Sequence, residues 1–147
     1  MNKTQSFKFP CPANASRNKI LPVFLPYQGC PNRCIYCAQV AQTGTDVSSL
    51  SHFYQDLESR LQKASAVNEG PVEVAFYGGT FTALPDKWAY SFSKLAAKFK
   101  EKGVVSEIRC STRPDVLSWD LLCDFRSMGM DMVELGIQSF SEHVLHI

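Results

Sequence analysis

Nowhere in the 147 residues does an apolar run approach the length of a membrane span. The opening stretch MNKTQSFKFPCPANASRNK lacks the hydrophobic core of a secretory signal, which points to the cytoplasm and away from the membrane. In that reducing compartment the six cysteines favour metal binding over a disulfide framework. There is no low-complexity tract and no short repeat, and 45% hydrophobic with 20% charged residues is ordinary for a folded domain. Acidic residues are missing before Asp46, so residues 1–45 carry +5 and the remainder −4. Residues 1–19 thus read as a basic leader, either a solvated tail or a contact for an anionic partner such as RNA. No dense Lys/Arg block accompanies it.

What is present is a fourfold alternation of strand, loop and helix. ILPVFLPY (20–27) is apolar and proline-bounded, as a buried strand would be. A helix follows, capped by Ser48 or Ser49, with Leu50, Phe53, Tyr54, Leu57, Leu61 and Ala64 on one face. VEVAFY (72–77) is the second strand. After a glycine turn, Pro85 opens a helix striped by Trp88, Phe92, Leu95, Ala96 and Phe99 and closed by Gly103. VVSEIRCS (104–111) is the third strand. SWDLLCDFRSM (118–128), between Ser118 and Gly129, is the next helix. MVELGIQ (132–138) is the fourth strand, and SFSEHVLHI begins a further helix. Apolar strands alternating with helices pair in parallel through right-handed crossovers, and ligands then gather at the carboxyl ends of the strands. The unusual turns GCPNRCIYC, GGTFT, STRPD and QSF all follow strands, so they should converge at one rim.

Within GCPNRCIYC, Cys30, Cys34 and Cys37 are spaced C-x3-C-x2-C. Thiolates select zinc, copper(I) or iron–sulfur clusters. Zinc would want a fourth ligand from Cys11, His52, Cys110 or Cys123. A cubane cluster usually has four cysteines, and one held by three leaves an iron open to a small molecule. The residues alone leave zinc and cluster open. Cys110 in a strand and Cys123 on a helix stripe read as buried core thiols. His52, His143 and His146 have no partner spacing that suggests a site, and Trp88 with the helical phenylalanines reads as core.

Placed after the first strand of a βα repeat, with the aromatic Tyr36 before its last cysteine, this loop resembles the signature of the radical S-adenosylmethionine (radical SAM) superfamily. The resemblance runs from about Ile20 onward. It implies a [4Fe–4S] cluster on Cys30, Cys34 and Cys37 whose fourth iron binds S-adenosylmethionine, reductive cleavage to a 5′-deoxyadenosyl radical, and an external electron donor of flavodoxin or ferredoxin type. FYGGTFTALP (76–85), STRPD (111–115) and VELGIQSF (133–140) look like the radical domain of the Elongator catalytic subunit and its bacterial relatives. Transfer RNA as substrate follows only by that analogy. The alternative is a non-catalytic module that keeps the cysteine loop for a cluster or zinc.

The resemblance also implies site residues. Gly78, Gly79 and Thr80 match the turn that meets the methionyl amino group, though a tight turn alone would also want glycines. Gln138 matches a contact to the ribose or methionyl part. Glu134, two pleats away on the same expected strand face, would point inward with it or pair with a basic residue. Ser111 stands where many relatives carry an acid, and Thr112 and Arg113 share its turn. Arg113 would bind a carboxylate or pair with Asp115. Tyr36 would position adenine or pack beneath the loop. The expected fold is a partial TIM-like (β/α) barrel of about four units spanning 20–147. That is the N-terminal part of the family's barrel, which self-association could complete if the half barrel stands alone. Its fourth strand would then be an apolar edge.

Overall fold

The computed structural model describes residues 19–44, 49–67 and 70–145. Cys11, Ser48, His146 and all of the expected leader except Lys19 lie outside the described residues. Lys19 itself opens the first strand.

Four strands, β1 (Lys19–Phe24), β2 (Val72–Tyr77), β3 (Val105–Thr112) and β4 (Met132–Leu135), form one sheet in the order β1-β2-β3-β4. Every neighbouring pair is parallel. Strand order that follows chain order, with right-handed crossovers, keeps all connecting helices on one face. Such winding curls toward a barrel, whereas a doubly wound sheet would reverse its order partway. The expected partial β/α barrel is therefore the observed architecture.

Pleating divides the sheet chemically. Leu21, Val23, Val72, Val74, Phe76, Ile108 and Cys110 point to the helices and share one core with them. Those helices are α1 (Gln39–Thr43), α2 (Leu50–Val67), α3 (Trp88–Glu101), α4 (Trp119–Ser127) and α5 (Glu142–Leu145). From α2 come buried Leu50, Leu57 and Leu61, with Phe53 and Tyr54 packed partly against them. From α3 come Phe92, Leu95, Ala96 and Phe99. Phe76 stacks on Phe81 at 4.4 Å between centroids and meets Phe92 at 5.7 Å. The opposite face carries polar residues: Glu73 and Tyr77 of β2, Arg109 and Ser111 of β3, and Glu134 of β4. Arg109 ion-pairs with Glu73 and Glu134 and lies over the Tyr77 ring.

Expected ends of elements are met where a cap defines them. The Ser49 hydroxyl accepts from His52 N at 3.3 Å, and that of Ser118 from Leu121 N at 3.2 Å. Beyond α3, Gly103 adopts φ +73° while Val104 N reaches back to Phe99 O. Four expectations fail. β1 ends at Phe24 rather than Tyr27, because Pro26 cannot donate and Tyr27 turns out with φ 59°. Pro85 opens a 3₁₀ turn, not α3; Asp86 and Lys87 take left-handed φ of 50° and 60°, and the α-helix starts at Trp88. β4 stops at Leu135, and Ile137 N→Leu135 O and Ser139 N→Ile137 O bonds then curl the chain tightly. Cys123 is exposed, since it sits two residues from buried Phe125 and so on the other side of α4. As expected of an edge, β4 leaves Met132 and Leu135 about half exposed. Among the described residues no helix is long and apolar enough to cross a membrane.

Candidate functional site

Turns from the carboxyl ends of all four strands line a single cavity of about 420 Å³. Cys30, Cys34, Tyr36 and Cys37 come from the loop after β1. Gly78, Gly79 and Thr80 follow β2, Ser111, Thr112 and Arg113 close β3, and Glu134 and Gln138 come from β4 and beyond. The three cysteines of the loop and every cofactor contact implied by the resemblance thus line the same space, whose volume lies within the range of small-molecule sites. His52, Cys110 and Cys123, named as possible fourth ligands for zinc, do not line it. Tyr27, Asn32, Arg33, Gln39, Leu135 and Gly136 line it too and were not nominated.

The cysteine loop is clamped at its root. Thr80 N donates to Gln28 O at 2.9 Å, and the backbones of the two turns press together there. A Cβ on Gly79 would lie 2.1 Å from Gln28 O, and one on Gly29 would lie 2.3 Å from Thr80 O. These glycines are required by chain-to-chain contact. Gly78 is required by its φ of +96° and by the Phe24 ring, 2.9 Å from where its Cβ would stand. Gly29 escaped the sequence reading, although its place just before the first cysteine was a signal for close packing.

Tyr27 braces the loop further on. Its backbone N donates to Gln39 Oε1 at 2.8 Å, its hydroxyl lies 3.5 Å from Cys37 O, and the Arg33 guanidinium sits 4.2 Å from its ring centre. A left-handed tyrosine is uncommon, and it is held by these contacts. Cys37 N→Cys34 O at 2.9 Å sets the turn between the last two cysteines. The three thiols are half-buried, and the Cys30 Sγ lies 3.3 Å from the Thr80 hydroxyl. Among the described residues no three His, Cys, Asp or Glu side chains converge as ligands of a single ion. His52 and His143 are both exposed.

Tyr36 is 60% exposed, so it does not pack beneath the loop. A hydrogen bond with Cys34 raises its phenol above the ordinary value, with burial and the charges of Cys34 and Cys37 adding and Arg113 opposing. Arg113 spends its fork on Asp115, Nε to Oδ1 at 2.9 Å and Nη2 to Oδ2 at 2.7 Å. That bidentate bond raises the guanidinium and lowers the Asp115 carboxyl.

Glu134 lies on the cavity side of β4. Its carboxylate takes Arg109 Nη1 at 3.1 Å and the Ser111 hydroxyl at 2.8 Å. Across the network Arg109 Nε rests against Glu73 as an ion pair, without the alignment of a hydrogen bond. Two carboxylates around one guanidinium leave the inner face with a net negative charge. Thr112 is buried, its hydroxyl 2.6 Å from that of Thr82, and its carbonyl accepts from Gly136 N. Gln138 lies beyond the strand with φ 66°, and its amide folds over Gly136, where a Cβ would meet Nε2 at 2.8 Å. It shares the cavity with Glu134 by this fold-back and not by strand alternation.

Residues 24–147 match the sequence model of the Radical SAM superfamily, which covers most of the chain. A search of curated proteins found no match.

Proposed function

Because the chain belongs to the radical SAM superfamily, we propose that Cys30, Cys34 and Cys37 hold a [4Fe–4S] cluster beside a cavity that receives S-adenosylmethionine. The observation that carries this is the convergence of the turns after all four strands on one cavity, with three thiols in its wall. The donor set fits: three half-buried thiols are soft ligands of the kind such clusters take. The same thiols are a donor set for zinc as well, so acid-labile sulfide is the readout that separates the two.

Bound together, the cluster and S-adenosylmethionine supply one-electron reductive cleavage of the sulfonium. The residues of this chain bind and orient. The Gly78–Thr80 turn offers backbone groups to the methionyl end, and Gln138 and Glu134 offer an amide and a carboxylate to amino or hydroxyl donors. The acid that many relatives carry at Ser111 is supplied here from the neighbouring strand, since Glu134 reaches the Ser111 hydroxyl. Thr112 holds the turn through Thr82. Arg113, neutralised in part by Asp115, offers its remaining charge to a carboxylate, and exposed Tyr36 offers its ring to adenine. An external flavodoxin- or ferredoxin-type donor provides the electron. A transfer-RNA nucleoside as substrate, and kinship with the Elongator radical domain, rest on the likeness of FYGGTFTALP and VELGIQSF.

Anaerobic reconstitution with iron and sulfide, followed by iron and sulfide analysis, tests the assignment. Iron and acid-labile sulfide should be incorporated together in equal amounts, and Cys34→Ala should lose them. Zinc bound without sulfide, or an intact cluster surviving Cys34→Ala, would refute it and leave the metal-binding module as the better reading.

A further inference from the structure

The turn after β2 does more than offer backbone. Thr80 is buried to 1% exposure, yet it lines the cavity wall next to the first cysteine. Its backbone is fixed by the bond from Thr80 N to Gln28 O and by Ala83 N→Thr80 O at 3.0 Å. The Gly29 and Gly79 contacts leave that backbone little room to shift. Its hydroxyl is thereby aimed at Cys30 Sγ, 3.3 Å away. While Cys30 is a thiol, either atom can be the donor. A thiolate has no proton to give, so with Cys30 as a metal ligand the hydroxyl must donate to sulfur. Cys30 is also the cysteine nearest the clamp, whereas Cys34 and Cys37 are joined to each other farther along the loop.

We propose that Thr80 is a positioning residue that acts through Cys30, donating a hydrogen bond to the ligating sulfur and raising the reduction potential of the cluster. This rests on the cluster assignment above. Reduction adds a negative charge that spreads onto the thiolates, and a donor facing one of them stabilises the more negative state. Because Thr80 is buried, water does not replace the hydroxyl when it is removed. The turn after β2 therefore directs the Thr80 hydroxyl at the ligating sulfur.

The test is a redox titration of the reconstituted protein monitored by electron paramagnetic resonance. Thr80→Val keeps the shape and removes the donor. It should still assemble a cluster and make it harder to reduce, by about tenfold in the reduction equilibrium constant, or about 59 mV for one electron. Thr80→Ser keeps a hydroxyl and should restore the wild-type potential. Ser127→Ala removes an exposed hydroxyl that bonds Asp124 O away from the cavity, and should leave the potential unchanged. Thr80→Ala takes the place of Thr80→Val if the valine variant does not fold. Equal potentials in wild type and Thr80→Val, or a shift in Thr80→Ser as large as in Thr80→Val, overturn this inference alone. Failure of the wild-type chain to assemble a cluster overturns it together with the reading it rests on.

Discussion

Gly79→Ala should destabilise the protein and loosen the cysteine loop, although backbone conformation alone predicts the opposite sign. Gly79 is not in the left-handed region, so alanine there would ordinarily stabilise by about 0.4–1 kcal/mol through the unfolded chain. The contact reverses this. The new methyl would stand 2.1 Å from Gln28 O, 2.8 Å from Leu25 O and 2.9 Å from Gln28 N, all backbone atoms that no rotamer change can clear. The two turns must therefore separate by about 1 Å, at a cost typical of overpacking, about 1–3 kcal/mol. The same movement breaks Thr80 N→Gln28 O, worth about 1 kcal/mol net. The expected loss is about 2–4 kcal/mol, a large part of a domain's stability. For a chain of this size it would lower Tm by roughly 5–15 °C. Urea denaturation followed by circular dichroism gives the stability, and iron content after reconstitution reports on the loop. A Gly79→Ala protein as stable as wild type would show that the clamp is not as described.

Two further perturbations probe the sheet. Burial, helped by the Glu134 charge, pushes the Cys110 thiol from an ordinary 9.0 up to about 12. Between those values the unfolded chain releases a proton that the native state keeps, so Cys110 contributes a loss of stability as pH rises through that window and nothing below it. The slope approaches about 1.4 kcal/mol per pH unit within the window. Denaturation of wild type and Cys110→Ala from pH 8 to pH 10.5 should show the variant, though less stable at pH 8, declining less steeply; parallel declines would sink the reasoning. Arg109→Ala leaves Glu73 and Glu134 without their shared cation. Their partial exposure, 16% and 38%, sets the expected cost at about 2–3 kcal/mol, below the value for a fully buried pair. High salt should recover part of it, and a loss that is unaffected by salt would assign the effect to packing.

The order of strands and helices was legible because each element carries its own period, and the caps Ser49, Ser118 and Gly103 sit where local hydrogen bonding alone requires them. The convergence of four turns was legible as well, since it follows from parallel pairing once the strands are known. What escaped depends on contacts between segments distant in sequence. Gly29 and Gly79 are needed by each other's turns, and fifty residues separate them in the chain. Nothing local marks Tyr27 as the brace of the loop, because its left-handed backbone is held by Gln39 and Arg33. The end of β4 was misplaced for a similar reason: alternation in LGIQ continues smoothly on paper, while Gln138 is turned back over Gly136. Cys123 was misjudged by two residues of helix, enough to change its face. The Thr80–Cys30 contact joins two motifs that were each recognised and were read as serving the cofactor separately.

The most direct measurement is anaerobic incubation of the reconstituted chain with S-adenosylmethionine and dithionite, with 5′-deoxyadenosine and methionine measured by mass spectrometry. The account predicts that both products form together in the wild type, and that neither forms above background in Cys34→Ala. An assembled cluster that leaves S-adenosylmethionine intact would contradict it.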